Sequence, residues 1–220
     1  MDVTPILESL NDAQRQAVTA PMAPLLVIAG AGSGKTRVLT HRAAWLIDVE
    51  RVSPQGLLAV TFTNKAASEM RGRIETLLRI PVNYLWIGTF HGLAHRLLRR
   101  HWSEASLPQN FQIIDADDQL RLIKRLLKNL ELDDSRWVPL EIQRFINAQK
   151  DEGLRPRHLF DDGDPDRRQF ISLYQSYQEV CDRSGLVDFA ELLLRAHELW
   201  RNNPGLLAHY QRRFQHLLVD

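Results

Sequence analysis

Eight consecutive residues constrain this chain more than any other part of its sequence. They begin at the last residue of an apolar run at residues 25–29 and precede a segment with helical spacing. They are Ala29, Gly30, Ala31, Gly32, Ser33, Gly34, Lys35 and Thr36. Glycines let successive backbone N–H groups form a concave nest, and the start of the following helix adds positive potential. A terminal lysine can then reach β- and γ-phosphates, and a hydroxyl can help to bind magnesium. The sequence therefore predicts a phosphate-binding loop.

The loop departs from the usual pattern at one position, because Ala29 stands where glycine is common. We regard the departure as minor, because the amides that face phosphate lie further along the loop. The alternative is a glycine-rich turn with no role in phosphate binding. A strand before the loop and a helix after it favour the phosphate-binding interpretation.

Apolar runs at residues 57–62 and 85–90 resemble the run at 25–29, and segments 37–49 and 65–78 between the runs have helical spacing. Continuous short apolar runs separated by helices indicate buried strands of a parallel sheet. Residues 217–219 form a further apolar run. We therefore predict an α/β fold with strands in all four places.

The chain between residues 90 and 213 has a helical pattern. An apolar stripe runs from Phe170 to Cys181 and ends at Gly185, a typical helix stop. Asp188 and Glu191 have the spacing of a capping box, and Asp115 precedes another helix. Residues 161–166 favour a solvated loop. We predict a helical subdomain at 90–213, inserted into an α/β subdomain made of residues 1–89 and 214–220.

Composition constrains both the location of the protein in the cell and the partners it can bind. The net charge is +1, so any surface for nucleic acid must be local. A single cysteine implies no oxidising compartment, and no apolar run approaches the ~18 residues of a membrane helix. The N-terminus lacks the features of a signal peptide. We expect a soluble cytoplasmic protein without a membrane partner.

Gln14 lies just upstream of the first apolar run, in a segment with helical spacing. A side-chain amide offers a donor and an acceptor, which reading the edge of an adenine requires. A surface helix that happens to carry glutamines would look the same.

Taken together, four segments resemble UvrD/Rep/PcrA-type superfamily 1 DNA helicases, in order and in spacing. Residues 10–17 resemble the Q motif, 29–36 motif I, 60–67 motif Ia and 88–92 motif Ib. The resemblance implies a P-loop NTPase fold in which a RecA-like parallel sheet, subdomain 1A, is interrupted by helical subdomain 1B. It also implies an ATP-dependent enzyme that unwinds DNA in the 3′ to 5′ direction during repair, with ATP and Mg²⁺ as cofactors.

The resemblance also assigns residues. Nucleotide would contact Gln14, the loop from Ala29 to Thr36, Arg37 stacked on adenine, and Arg73. For Arg73 the alternative is a solvated helix face.

Two strand ends supply the implied DNA contacts, which are Phe62, Thr63, Asn64, Phe90 and His91. The carboxyl edge of a parallel sheet is where such folds bind ligands, and an aromatic ring can stack on any base. The alternatives are core packing for Phe62 and a structural hydrogen-bonded role for His91. No cluster of ligands accompanies His91, so we do not expect it to bind a metal.

By resemblance, residues 217–220 begin motif II, in which Asp220 assists Mg²⁺ beside Thr36. The glutamate that would follow, and the second RecA-like half, lie outside these residues. We therefore expect Lys35, Thr36 and Asp220 to hold Mg-ATP. We do not expect the 220-residue chain to hydrolyse ATP by itself. Expected partners are single-stranded DNA, junctions with duplex, and by resemblance repair proteins.

Two other functions stay open at this point. One is a noncatalytic module that binds ATP or single-stranded DNA. The other is a small-molecule P-loop phosphotransferase, which would need a lid over its acceptor. A basic face formed by Arg121, Lys124, Arg125 and Lys128 fits either duplex phosphates or solvent, and Lys150 is equally undecided.

Overall fold

A computed structural model describes residues 3–82 and 84–220. The chain forms two compact units, Met1–Leu93 with Gly205–Asp220, and Ala94–Pro204. The helices are α1 (Thr4–Leu7), α2 (Asp12–Val18), α3 (Lys35–Asp48), α4 (Asn64–Leu78), α5 (Phe90–Arg100), α6 (Ala116–Asn129), α7 (Pro139–Asp151), α8 (Pro165–Ser184), α9 (Phe189–Asn202) and α10 (Pro204–Arg213). The strands are β1 (Leu57–Thr61), β2 (Trp86–Thr89), β3 (Gln112–Ile113), β4 (Leu186–Val187) and β5 (His216–Val219).

The first unit contains a three-stranded sheet in the order β2-β1-β5, and both pairings are parallel. Its core combines side chains of the strands with side chains of α3 and α4, among them Leu46, Leu57, Met70 and Ile74. β1 and β2 are buried, and buried strands need continuous apolar runs, which is why residues 57–62 and 85–90 indicated them. The run at 217–219 indicated β5, which is only partly buried, with Leu217 and Val219 exposed. The predicted α/β fold, these three strands and the helices predicted at 37–49 and 65–78 are confirmed.

The strand predicted at residues 25–29 is wrong, because this segment is irregular. Leu26 and Ile28 are 82% and 88% exposed. A strand needs a neighbour with free backbone groups, and residues 24–27 are separated from β5 by a groove of about 680 Å³. No described strand pairs with residues 25–29, so this apolar run forms no ladder.

The second unit is mainly helical, with a core that includes Ile123, Ile142, Leu173, Tyr174 and Tyr177. The predicted stripe lies on α8, and Gly185 ends that helix with φ of 63°. The predicted loop at 161–166 is too long by two residues, because α8 already begins at Pro165. Asp164 caps it by accepting the N–H of Asp166 at 2.9 Å. The parallel pair of β3 and β4 was not predicted, since two-residue strands leave no periodic signal.

Lys150 has neither of the roles considered for it, because it is buried in the second unit. Its Nζ lies 2.7 Å from Asp188 Oδ2 and 2.9 Å from Glu191 Oε2. Burial by itself lowers the pKa of Lys150, but the two carboxylates outweigh it and the pKa is raised. Burial would raise the pKa of Glu191, but Lys150, Arg155 and Arg195 lower it to about 2.

The capping box predicted at the start of α9 is only half formed. Asp188 Oδ1 accepts the N–H of Glu191 at 2.8 Å, as an N-cap should. The Glu191 side chain does not return to the cap but accepts hydrogen bonds from Arg155 and Arg195.

Across residues 3–82 and 84–220, no helix is long and apolar enough to cross a membrane.

Candidate functional site

The phosphate loop stands open at the start of α3. Gly32 and Gly34 have φ of 74° and 86°, which only glycine adopts easily, and Gly34 is the N-cap of the helix. Nothing lies within 4 Å of the Cβ positions of Gly30 and Gly32. The helix N-terminus and the clear space beside these glycines fit the phosphates of a nucleotide.

The ammonium group of Lys35 folds back onto the start of the phosphate loop. Its Nζ donates to the carbonyl oxygens of Ala29 and Gly30, at 2.9 and 2.8 Å. Among the described residues Lys35 has no acidic partner. Its charge is therefore balanced only by peptide dipoles, and a phosphate oxygen is a stronger acceptor for it.

Thr36 and Asp220 come together at the end of the loop. Thr36 Oγ1 donates to Asp220 Oδ2 at 2.7 Å. The N–H of Asp220 donates to the carbonyl of Val60 at 3.0 Å, which extends the pairing of β5 with β1 by one residue. A hydroxyl and a carboxylate suit Mg²⁺, which usually has few protein ligands besides substrate phosphates. The described residues hold no group of three or more His, Cys, Asp or Glu that could bind a metal without such help.

Gln14 contacts the loop itself. Its Oε1 accepts the N–H of Asn11 at 3.1 Å, and its Nε2 donates to the carbonyl of Ser33 at 3.0 Å. The Nε2 also sits 2.9 Å from the position that a Cβ at Gly34 would take, so a side chain there would displace the Gln14 amide in addition to straining the backbone. One N–H and one lone pair of the amide are left for a ligand.

Arg37 and Arg73 lie around His41. Burial is the main reason why the pKa of His41 is lowered, and the charges of Arg37 and Arg73 lower it further. Arg73 also pairs with Glu69 at 3.5 Å on an exposed face of α4. Arg73 and His41 line a shallow cavity of about 410 Å³ with Pro5 and Ser9.

The predicted DNA residues share one edge of the sheet. Phe62 follows β1 and is 85% exposed, so the core-packing alternative for it is wrong. Thr63 caps α4 by accepting the N–H of Ala66 at 3.1 Å, and Asn64 begins that helix. Phe90 begins α5 after β2 and is 47% exposed, with His91 half-buried beside it.

Sequence reasoning missed two buried hydroxyl groups at this edge. Thr61 and Thr89 are opposite each other in the register of β1 and β2. Thr61 Oγ1 donates to Asp220 Oδ2, and Thr89 Oγ1 donates to Asn64 Oδ1, both at 3.5 Å. A signal was present, because both apolar runs end in the dipeptide Thr-Phe.

The basic face of α6 belongs to the second unit. Arg121 Nη1 pairs with Asp118 Oδ1 at 2.6 Å. Lys124, Arg125 and Lys128 are exposed and make no ion pair within the described chain. Contact with duplex DNA at this face stays a prediction.

Comparisons with known proteins identify relatives of the whole chain. The family model described as UvrD/REP helicase N-terminal domain matches residues 10–220. DNA helicase II of Escherichia coli strain K12 is 61% identical over 220 residues, which are 100% of this chain and 31% of that protein. ATP-dependent DNA helicase PcrA of Bacillus subtilis strain 168 is 40% identical over 216 residues, 98% of this chain and 29% of that protein. The chain thus spans about a third of the length of these relatives.

Proposed function

The chain belongs to the UvrD/REP helicase N-terminal domain family, and from this premise we propose that it is the ATP-binding part of a DNA helicase. Membership confirms the P-loop NTPase fold predicted from the sequence. The relatives named above are DNA helicases, and the PcrA relative is ATP-dependent. One arrangement supports the proposal most: the loop with Lys35 and Thr36 meets Asp220 at the sheet edge where Phe62 is exposed.

The residues of the loop fit Mg-ATP. The nest at Gly30 to Gly34 would receive the phosphates, and Lys35 would exchange the carbonyls of its own loop for phosphate oxygens. Thr36 and Asp220 would together bind the metal ion. Gln14, Arg37 and Arg73 would contact the adenosine part of ATP. Bound Mg²⁺ neutralises charge on the phosphates and orients them.

The strand ends fit single-stranded DNA. Phe62 and Phe90 offer exposed rings on which bases of any sequence stack, while Thr63, Asn64 and His91 offer polar groups to the backbone. Stacking of this kind suits a motor that moves along any strand. We include in the proposal the 3′ to 5′ direction, junctions with duplex, a role in DNA repair with protein partners, and a cytoplasmic location.

The 220-residue chain by itself binds ligands without turnover. Phosphoryl transfer needs a group that orients the attacking water and positive charge at the transferred phosphate. Within residues 3–82 and 84–220, Asp220 is the one carboxylate hydrogen-bonded to the residues of the loop, and no arginine is hydrogen-bonded to them. The first unit would then be subdomain 1A and the second subdomain 1B.

A chimera tests the parent activity. This chain replaces the matching part of the E. coli relative, and unwinding is measured on duplexes with a 3′ or a 5′ single-stranded tail. We expect ATP-dependent unwinding from the 3′ tail, abolished by Lys35→Ala and unaffected by Arg183→Ala, which removes an exposed cation of α8. Absence of stimulation of the ATPase by single-stranded DNA would argue against the proposal.

The 220-residue chain distinguishes the alternatives. Filter binding to single-stranded DNA is measured with and without ATP, and hydrolysis is measured in parallel. A phosphotransferase would ignore DNA, and a DNA module without nucleotide function would ignore ATP. Hydrolysis that depends on Lys35 would disprove the proposed lack of turnover.

A further inference from the structure

Thr61 connects two sites that the proposed function treats separately. It is the last residue of β1, it is buried, and its neighbour Phe62 begins the exposed strand end. Its Oγ1 donates to Asp220 Oδ2 at 3.5 Å, the same oxygen that accepts the hydroxyl of Thr36 at 2.7 Å. Asp220 is the hydrogen-bond partner that the structure gives the Thr61 hydroxyl. One carboxylate oxygen thus joins the phosphate loop to β1.

The register of the sheet explains this geometry. Val60 pairs with Val219, and the N–H of Asp220 donates to the carbonyl of Val60, so Thr61 and Asp220 leave the sheet side by side. On its other side Thr61 is opposite Thr89. The Thr89 hydroxyl bonds Asn64 and the N–H of Gly92, and no hydrogen bond links it to Asp220. Of the two buried hydroxyls, Thr61 is therefore the one that links the edge to the nucleotide site.

The Thr61 bond is long, at the outer limit of a hydrogen bond, whereas the Thr36 bond is short. A long bond is sensitive to small movements of its donor. Thr61 is covalently joined to Phe62, so backbone changes on binding at the edge reach its hydroxyl directly. Tightening of this bond would fix the orientation of the Asp220 carboxylate.

We propose that Thr61 is a positioning residue that couples binding of single-stranded DNA at the edge to binding of metal and nucleotide at Thr36 and Asp220. The inference rests on the proposed function, because it requires both ligands. Coupling of this kind is reciprocal, so each ligand changes the affinity for the other by the same factor. Loss of the hydroxyl should remove the coupling and leave each site able to bind.

The experiment measures that coupling in the 220-residue chain. Free Mn²⁺ is followed by electron paramagnetic resonance in the presence of ADP, with and without an oligo(dT) strand. We expect oligo(dT) to tighten Mn²⁺ binding in the wild-type chain by about 5-fold or more, a usual size for coupling. Oligo(dT) affinity without nucleotide is measured for every variant as a second readout.

Three substitutions separate the hydroxyl from the packing. Thr61→Val keeps the branched shape that suits a strand, and we expect coupling to fall to about 1- to 2-fold with near wild-type oligo(dT) affinity. Thr61→Ser retains the hydroxyl and should retain most of the coupling. Thr19→Val removes an exposed hydroxyl that bonds the carbonyl of Arg15, and should behave as wild type. Should circular dichroism show that Thr61→Val is unfolded, Thr61→Ala takes its place.

The outcomes discriminate between the two proposals. Wild-type coupling in Thr61→Val, or loss of coupling in Thr61→Ser equal to that in Thr61→Val, would overturn the inference alone. A wild-type chain that binds both ligands without coupling would also overturn it alone. A wild-type chain that binds neither Mn²⁺ with ADP nor oligo(dT) would overturn the proposed function, and the inference with it.

Discussion

Gln14 is held by both ends of its amide, and this changes what a substitution there should do. The side chain completes the capping box of α2 with Asn11 and also holds the carbonyl of Ser33. We expect Gln14→Ala to weaken nucleotide binding by about 1 kcal/mol through the loosened loop, the usual value of one hydrogen bond. Titration of the chain with a fluorescent ATP analogue measures it. Gln16→Ala, on the same helix and exposed, is the control and should have no effect.

Phe62 gives the sharpest residue-scale test of the DNA edge. Its ring is almost fully exposed, so Phe62→Ala removes little packing and should leave the free energy of unfolding unchanged within about 0.5 kcal/mol. If bases stack on the ring, affinity for oligo(dT) should fall by about 1–3 kcal/mol. Fluorescence anisotropy measures the affinity. Phe160→Ala removes a similarly exposed ring from the second unit, and an equal loss there would contradict a specific role for Phe62.

The residues also show where sequence reasoning reaches its limit. The phosphate loop was predictable because its backbone conformation requires glycines in a fixed order. The exposure of Phe62 was not, since a phenylalanine that follows an apolar strand reads the same whether it faces the core or solvent. Lys150 looked like a surface lysine because its partners, Asp188 and Glu191, are distant in sequence.

At the scale of elements, Lys150 links the end of α7 to the start of α9. Lys150→Met keeps much of the apolar stem but removes the buried cation from Asp188 and Glu191, of which Glu191 retains Arg155 and Arg195. Breaking a buried ion pair from one side typically costs about 3–5 kcal/mol. We expect a loss of this order in urea unfolding, with faster amide hydrogen exchange in α7 and α9. The matched control is Lys124→Met on the exposed face of α6, which should change neither.

The ionisation of Glu191 makes the contact between α7 and α9 depend on pH. Its pKa falls from 4.5 to about 2 in the folded chain, so the folded state binds fewer protons than the unfolded state between these values. The stability it contributes is complete above its unfolded pKa and is lost as the pH falls toward 2. In Glu191→Gln that contribution is absent. We therefore expect the difference in unfolding free energy between wild type and Glu191→Gln to shrink between pH 6 and pH 3, as measured by urea unfolding.

A constant difference across that range would contradict the assignment to Glu191. Glu131→Gln changes an exposed glutamate of the same unit and controls for the general effect of charge.

The elements also differ in how far sequence determines them. Helices such as α8 repeat their apolar pattern over several turns, so the helix and its stop at Gly185 were predictable, whereas its start at Pro165 was predicted as loop. A strand depends on a neighbour. The run at residues 25–29 has the composition of a strand without one, and β3 and β4 pair although neither has an apolar run long enough to notice.

At the scale of the whole molecule, the groove between residues 24–27 and β5 leads to the last prediction. Leu217 and Val219 are exposed on β5, as are Leu26 and Ile28 on the other segment. Exposed apolar surface beside an unpaired strand edge attracts apolar dyes and other chains. We expect the 220-residue chain to enhance the fluorescence of 8-anilinonaphthalene-1-sulfonate and to self-associate as its concentration rises.

Charge placed in the groove should suppress both effects. Leu26 is exposed, so Leu26→Glu alters the groove without removing a core side chain. Leu140→Glu introduces the same change at an exposed leucine of the second unit and controls for added charge. Dye titration and sedimentation velocity provide the measurements. Equal dye binding by wild type and Leu26→Glu would mean that the dye does not bind in the groove, and would contradict the prediction.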